Sequence, residues 1–406
     1  MTLSRREFVF SAGALFVTGA FGTTFKSNRK FVIAHISDVH ISDKGNTHDI
    51  LKVVEDINGD KAIDFVVVTG DLQNRGQLDE MFVAKSWYDL IEKPKAVCPG
   101  NHEMQYPGSR ENWKKTFGEV SGKWCFNGIP VYSVDSTPPG YVTSGFFRQD
   151  DMVHLTQNLV KDNAKNASFV VFLTHYSPTL ELANWWLLPQ AIKKAGVENA
   201  LILSGHIHQF LAYNWQGYLG FAGRSLAVNK RKRNRPGVGY TKLTVEADGC
   251  VIAEERIVGT KVNQSEWKVA LACGANGKRK DVSSPKAMIV PAPVDAFNIE
   301  ETGVFRYPER PPQFTPEEVR FRKSLSKELA KRYRNFRISA CCRTLSANGM
   351  LYVPGSRGQL VVLEEKTRDF IRMIECGYSP LLSVIKMESG ISVSLAEGRS
   401  FTLKEK

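Results

Sequence analysis

From Phe31 to about Val258, short apolar runs alternate with amphipathic stretches, and runs repeatedly stop at a turn carrying Asp, Asn or His. That alternation points to an α/β fold, with helices packed on a central sheet system. The run Phe31–Ile36 ends at Ser37-Asp38, Asp64–Val68 ends at Thr69-Gly70-Asp71, and Ala96–Cys98 ends at Pro99-Gly100. Between them the pattern predicts a helix capped by Thr47, with Leu51, Val54 and Ile57 on one face. A second helix is expected from Leu78 to Ile91, with Phe82, Trp87, Leu90 and Ile91 among its apolar positions. Later strands are expected at Ile129–Val134, Phe169–Leu173, Ala200–Leu203, Tyr240–Val245 and Val251–Ile257. The polar motifs fall at the C-terminal ends of strands, where α/β sheets gather their functional groups.

Five motifs follow in order: Asp38-Val39-His40, Gly70-Asp71, Gly100-Asn101-His102-Glu103, His175 after Thr174, and Gly205-His206-Ile207-His208. In extended backbone a one-residue spacing sends both side chains to one side, so Asp38 can point with His40, and His206 with His208. Carboxylates, imidazoles and an amide oxygen are ligands for Zn, Mn, Fe or similar divalent ions. Gly before Asp71, Asn101 and His206 lets the backbone turn where a side chain would crowd the site. Taken singly, each His reads as an ordinary surface or core residue. Together, five of the chain's eight histidines lie inside the motifs, which sets chance aside.

The five motifs in this order resemble the calcineurin-like metallophosphoesterases, over a little more than half of the chain. The resemblance implies a four-layer αββα sandwich and two divalent metal ions, Mn, Fe or Zn. It implies that Asp38, His40 and His208 hold one ion, that Asn101, His175 and His206 hold the other, and that Asp71 bridges them. Water shared by two ions about 3.5–4 Å apart loses a proton near neutral pH, and the hydroxide attacks phosphorus in line. His102 is then the catalytic residue that contacts phosphate and protonates the leaving group. The chain departs from the family at Asn74, where many relatives carry an Asp that hydrogen-bonds the catalytic His. The amide is expected to orient His102 without stabilising its charged form as a carboxylate does. No Tyr stands at 74 or nearby, as it does in purple acid phosphatases, and Tyr176 follows His175 where relatives often have a second His.

Other residues have plainer readings. His35 is expected to be structural, His48 and His154 solvated on helices, and Asp43 and Asp135 turn or strand-end residues. Glu103 is expected to hydrogen-bond behind the ligands rather than join them. Trp185-Trp186 read as core packing or a lid before base stacking. Lys230-Arg231-Lys232-Arg233 with Arg235 reads as a solvated turn before an anion-recruiting one.

With 406 residues the chain can hold more than one domain. Residues 1–30 read as a signal segment: Arg5-Arg6, then Phe8, then a weakly apolar stretch from Val9 to Phe21 too short for a bilayer span of about 20 residues. That order matches a twin-arginine export signal, which implies a periplasmic or extracellular enzyme. Residues 31–260 are expected to form the catalytic domain, 261–335 a Pro-rich linker and basic helix, and 336–406 a small β region. The helix start at Thr315-Pro316-Glu317-Glu318 is a capping box, and Phe321, Leu325 and Leu329 line one face. The segments around Gly355–Gly358 and Glu397–Arg399 look like one hairpin theme repeated at about 40 residues. The seven cysteines show no C-x-x-C spacing, so a zinc ribbon has little support.

The net charge of +12 attracts anions without choosing among phosphorylated small molecules, membrane surfaces and nucleic acid. Charge spread along the chain, together with export, disfavours a nuclease. A scaffold built on the C-terminal β region is disfavoured because no ligand has been lost. The expected partner is a small-molecule or lipid-linked phosphate ester, with contact to a membrane surface as a further option. Monoester or diester, and the oligomeric state, stay open.

Overall fold

The computed structural model describes residues 29–258 and 314–403 with short gaps, and the strands at 268–273, 279–282 and 288–289 between them. The expected export signal (but for its last two residues), Asp43 and the basic run at 230–235 lie outside the described residues.

In chain order the first run is β1 (Phe31–Ile36), α1 (Thr47–Gly59), β2 (Phe65–Thr69), α2 (Leu78–Asp89), β3 (Lys95–Cys98) and α3 (Ser109–Thr116). The second is β4 (Lys123–Phe126), β5 (Ile129–Ser133), α4 (Gln149–Lys161), β6 (Val170–Leu173), α5 (Leu187–Lys194), β7 (Ala200–Ser204), β8 (Leu211–Trp215) and β9 (Tyr218–Ala222). The chain then returns through β10 (Val238–Val245), β11 (Cys250–Val258), β12 (Lys268–Cys273), β13 (Arg279–Val282) and β14 (Met288–Ile289). Two seven-stranded sheets result, ordered β13-β12-β11-β10-β1-β2-β3 and β14-β8-β9-β7-β6-β5-β4. Strands β1, β2 and β3 are parallel, while β10 runs antiparallel to β1.

Alternation along β1 shows how the layers form. Phe31 and Ile33 join Phe65, Val67, Val171, Leu173 and Leu203 in a core between the two sheets. Val32, Ala34 and Ile36 face the other way, into a core with Val53, Val54 and Ile57 of α1 and Met81, Ala84 and Trp87 of α2. The second sheet does the same with α4 and α5 through Leu155, Leu159, Leu188 and Ile192. The order is helices, sheet, sheet, helices: a four-layer αββα sandwich. Strands covered on both faces must be apolar on both, which is why FVIAHI and FVVVT read as unbroken runs. The burial pattern of α2 differs from the expected one. Its buried residues are Met81, Ala84, Trp87 and Tyr88, whereas Phe82 and Leu90 are 52% and 49% exposed.

Three strands fall beyond residue 260, in the stretch expected as linker. β12 pairs antiparallel with β11, β13 with β12, and β14 lies parallel to β8. Each new strand satisfies the backbone N–H and C=O groups that an open edge would leave unpaired.

The C-terminal β region has layers of its own. Helix α6 (Pro316–Arg332) begins with the expected box: Glu318 N–H donates to Thr315 Oγ1 and Thr315 N–H to the Glu318 carboxylate. It is followed by β15 (Leu345–Ala347), β16 (Met350–Pro354), β17 (Gln359–Glu364), β18 (Phe370–Glu375), β19 (Leu381–Met387), β20 (Gly390–Leu395) and β21 (Ser400–Leu403). The hairpin theme falls in two different sheets, β15-β16-β17-β18 and β19-β20-β21. They face each other over Tyr352, Leu360, Val362, Leu381, Ile391 and Val393. The alternate residues Leu351, Val353, Val361 and Leu363 pack against Leu325 and Leu329 of α6.

Candidate metal centre

The chemistry-bearing residues stand just past the C-terminal ends of five strands. Asp38 and His40 follow β1, Asp71 follows β2, Asn101 and His102 follow β3, His175 follows β6, and His206 and His208 follow β7. β1, β2 and β3 are neighbours in one sheet and β6 and β7 in the other, so packing the sheets face to face brings both sets of ends together.

Backbone geometry at these ends is not extended. Asp38, His40, Asp71, His206 and His208 have φ between +46° and +68°, and they are half of the ten non-glycine residues with positive φ among the described residues. Left-handed backbone costs an L-residue about 1 kcal/mol or more, and concentrations of it mark sites where the surroundings over-determine the chain. The one-residue spacing therefore works through tight left-handed turns, not through strand alternation. Gly70 (φ +82°) and Gly100 stand back to back: a Cβ on Gly70 would lie 2.5 Å from Gly100 N, and one on Gly100 would collide with Asp71.

The side chains form two ligand groups that share one member. Asp38, His40, Asp71 and His208 each offer an atom within 4.8 Å of the others, as do Asp71, His175 and His206. Asp71 Oδ2 is 3.3 Å from His175 Nε2 and 3.8 Å from His40 Nε2. His208 Nε2 lies 3.2 Å from Asp38 Oδ1 and 3.1 Å from His40 Nε2. Asn101 Oδ1 is 2.9 Å from both His175 Nε2 and His206 Nδ1, so it belongs with the second group.

Hydrogen bonds behind the rings set which nitrogen faces inward. His175 Nδ1–H donates to the Thr69 carbonyl at 2.7 Å, and His40 Nδ1–H to Asn74 Oδ1 at 3.2 Å. Each Nδ1 proton is held outside, leaving Nε2 aimed into the cluster. Burial opposes charge on Asp38 and Asp71, but His208 beside the first and His175 beside the second hold both carboxyls below the usual range. Burial likewise opposes charge on His175, yet Asp71 prevails and raises it to about 9. Ionised oxygens and inward ring nitrogens thus converge in a mostly buried space. That donor set fits divalent cations of the borderline class.

Glu103 is fully buried and outside both groups. Its carboxylate accepts the backbone N–H groups of Gly100, Asp71 and Gln73 at 2.7, 2.8 and 3.1 Å, tying the Asp71 turn to the Asn101 turn. Burial and the Asp71 charge push its pKa up to about 7. His102 differs from expectation in what holds it. Its Nδ1 lies 2.8 Å from both the main-chain carbonyl of Asn74 and Gln105 Nε2, while the Asn74 side chain serves His40. The turn after Asp71 brings that carbonyl, not the amide, to the ring. His102 Nε2 is left facing the cluster, 4.0 Å from Asp71 Oδ2.

The remaining candidates separate. His48 and His154 are exposed on α1 and α4. Trp185 and Trp186 are buried in the core under α4 and α5. Asp135 is more than a strand-end residue: it is buried, ion-paired with Arg110 on α3, 3.7 Å from Arg148 at the start of α4, and bonded to Thr137. No local pattern announces a pairing between residues so far apart in sequence. Tyr176 is wholly buried, its ring 4.3 Å from that of His206. Among the described cysteines, Cys98 and Cys125 are free thiols.

Residues 31–210 match the family model of the calcineurin-like phosphoesterases. The chain is 26% identical over 228 residues to a "Probable cyclic nucleotide phosphodiesterase" of Vesicomyosocius okutanii, a match that covers 52% of this chain and 94% of that one. It is 34% identical over 97 residues to a "Probable glycerophosphodiester phosphodiesterase GpdQ" of Arcobacter nitrofigilis, covering 22% of this chain and 34% of that one. Among solved structures, GAP50, the anchor in the inner membrane complex of Plasmodium, is similar at 11% identity and a TM-score of 0.40, over 66% of this chain and 98% of that one. Residues 31–210 form a calcineurin-like phosphoesterase domain, and the chain is a metal-dependent phosphoric ester hydrolase.

Proposed function

We propose that the chain is an exported phosphodiesterase that works with two divalent ions, one in each ligand group, and acts on a small phosphodiester. The observation that carries this reading is Asp71, the one side chain common to both groups. Asp38, His40 and His208 would hold the first ion, and Asn101, His175 and His206 the second. When bound, the pair supplies an acidified water as nucleophile and neutralises the charge that builds on the phosphate oxygens. The protein's own part is to keep Asp38 and Asp71 ionised, to fix through Thr69 and Asn74 which nitrogens of His175 and His40 face inward, and to space the groups. His102 completes the set. With Nδ1–H anchored on the Asn74 carbonyl, a protonated ring presents Nε2–H where an ester oxygen departs, and donates that proton as the bond to phosphorus breaks.

The names of the two curated relatives support a diester over a monoester, and they leave a cyclic nucleotide and a glycerophosphodiester as the leading substrate classes. Purified protein loaded with Mn²⁺ is tested on para-nitrophenyl phosphate, its bis ester and cyclic nucleotides. Turnover of diesters well above the monoester is expected, and no turnover on any of the panel counts against the whole reading. Export rests on the arginine pair at positions 5 and 6. Replacing both with Lys should leave the protein inside the cell on fractionation; unchanged export removes the twin-arginine assignment.

A further inference from the structure

Behind the first ligand group runs a line of polar side chains that none of the catalytic roles uses. His35, Ser37 and Thr69 are all fully buried, on or beside β1 and β2. His35 Nε2 is 2.9 Å from Thr69 Oγ1, Thr69 Oγ1–H donates to Ser37 Oγ at 2.9 Å, and Ser37 Oγ–H donates to Asp38 Oδ2 at 2.5 Å. The direction is forced at every link. An ionised carboxylate only accepts, so Ser37 must donate to it. The Ser37 oxygen then accepts from Thr69, whose single hydroxyl proton is committed. Thr69 Oγ1 can therefore only accept from His35, which places the imidazole proton on Nε2. Nδ1 of His35 has no hydrogen-bond partner among the described residues, which a bare lone pair tolerates far better than a buried N–H. Both ends of the line thus agree on one tautomer.

We propose that His35, Thr69 and Ser37 form a one-way donor relay that positions the Asp38 carboxylate, with His35 as its fixed origin. By taking up Oδ2, the relay leaves Oδ1 turned toward His208 Nε2 at 3.2 Å, as a ligand of the first group requires. A second restraint acts on the same residue from the main chain. Ser225 Oγ–H donates to the Asp38 carbonyl at 2.8 Å, and the His206 N–H approaches both carboxylate oxygens at 3.1 Å. Asp38 sits in left-handed backbone, so its side chain cannot be aimed by strand geometry and depends on such bonds. Outer partners of this kind are commonly worth 10–100-fold in metal affinity. The inference rests on the reading of Asp38 as a metal ligand.

The test is calorimetric titration of Mn²⁺ into the chelator-stripped full chain, with circular dichroism melting as the control for folding. Wild type should take up two equivalents. Thr69→Val and Ser37→Ala should bind one of the two about 10–100-fold more weakly and keep the other close to wild type. Thr69→Ser, which restores the hydroxyl, should recover the lost affinity. His35→Leu should weaken the same equivalent, and adding it to Ser37→Ala should cost nothing more, because one broken link disables the line. His35→Gln supplies an amide donor in place of the ring and covers the case in which His35→Leu fails to fold. Folded Thr69→Val and Ser37→Ala proteins that bind both equivalents as wild type does would overturn the relay alone. Equal weakening of both equivalents would also overturn it, by showing a general loss of shape. Wild type that binds no Mn²⁺ would overturn the metal reading itself, and the relay with it.

Discussion

Asp71 belongs to both ligand groups and His102 to neither, so losing each should leave a different signature. Asp71→Asn is expected to abolish uptake of both ions or nearly all activity, read by metal analysis of the purified protein and by turnover. Full metal content with full activity in that variant would refute the bridging role. His102→Ala should retain its metal and slow turnover by about 10²–10⁴-fold, the usual range for a general acid. These residues were legible in the sequence because ligand chemistry is written in residue type: Asp, Asn and His beside Gly at strand ends admit few other uses. How they are held was not legible. The left-handed turns at Asp38 and His40, and the exchange by which Asn74 gives its carbonyl to His102 and its amide to His40, depend on where a loop passes in space. Sequence spacing carries no record of that.

Among the elements, α1 is fastened to the returning strands by a charged tie. Arg256 of β11 donates to both oxygens of Asp56 at 2.7 and 2.8 Å, and Tyr240 of β10 donates at 2.9 Å. Burial opposes the Asp56 charge, but these donors outweigh it and hold the carboxyl below its ordinary value. A depressed carboxyl contributes stability that is complete above the unfolded value of about 3.9 and drains away as pH falls through the folded value. Asp56→Asn should therefore lower stability by about 1 kcal/mol at pH 7, the group being partly solvent-screened. The gap from wild type should close as the solution is acidified below about pH 4. Chemical denaturation at the two pH values measures it; a gap that widens in acid would contradict the assignment. Long apolar runs and the Thr315 box gave their elements away, because a covered strand or a capped start imprints on neighbouring residues. Helix α3 did not: SRENWKKT is polar except at Trp113, through which it mainly docks. Strands β12–β14 were hidden because their pairing completes an edge built elsewhere in the chain.

At the scale of the whole molecule, the ligands and the C-terminal cores draw on different residues. Leu363 packs against Leu325 and Leu329 of α6, in a core whose described members all lie at residue 321 or beyond. Leu363→Ala should cost about 2–5 kcal/mol in that region, as buried leucines generally do. Mn²⁺ binding and turnover should be unaffected, so calorimetric melting and an activity assay on one sample decide whether catalysis depends on this part. The change of composition after about residue 260 was visible in the sequence. That the helix docks by its Phe321, Leu325 and Leu329 face was legible from their spacing; that β16 and β17 receive it was not, because it depends on which face of those strands lies open.

The ligand cage is split between two sheets: β1, β2 and β3 carry one share, and β6 and β7 the other. A chain in which only one sheet has formed owns half a cage and has no use for an ion. On the proposed reading, ion capture is consequently a late event that certifies the meeting of the two halves. On refolding, recovery of β signal should run ahead of recovery of tight Mn²⁺ uptake.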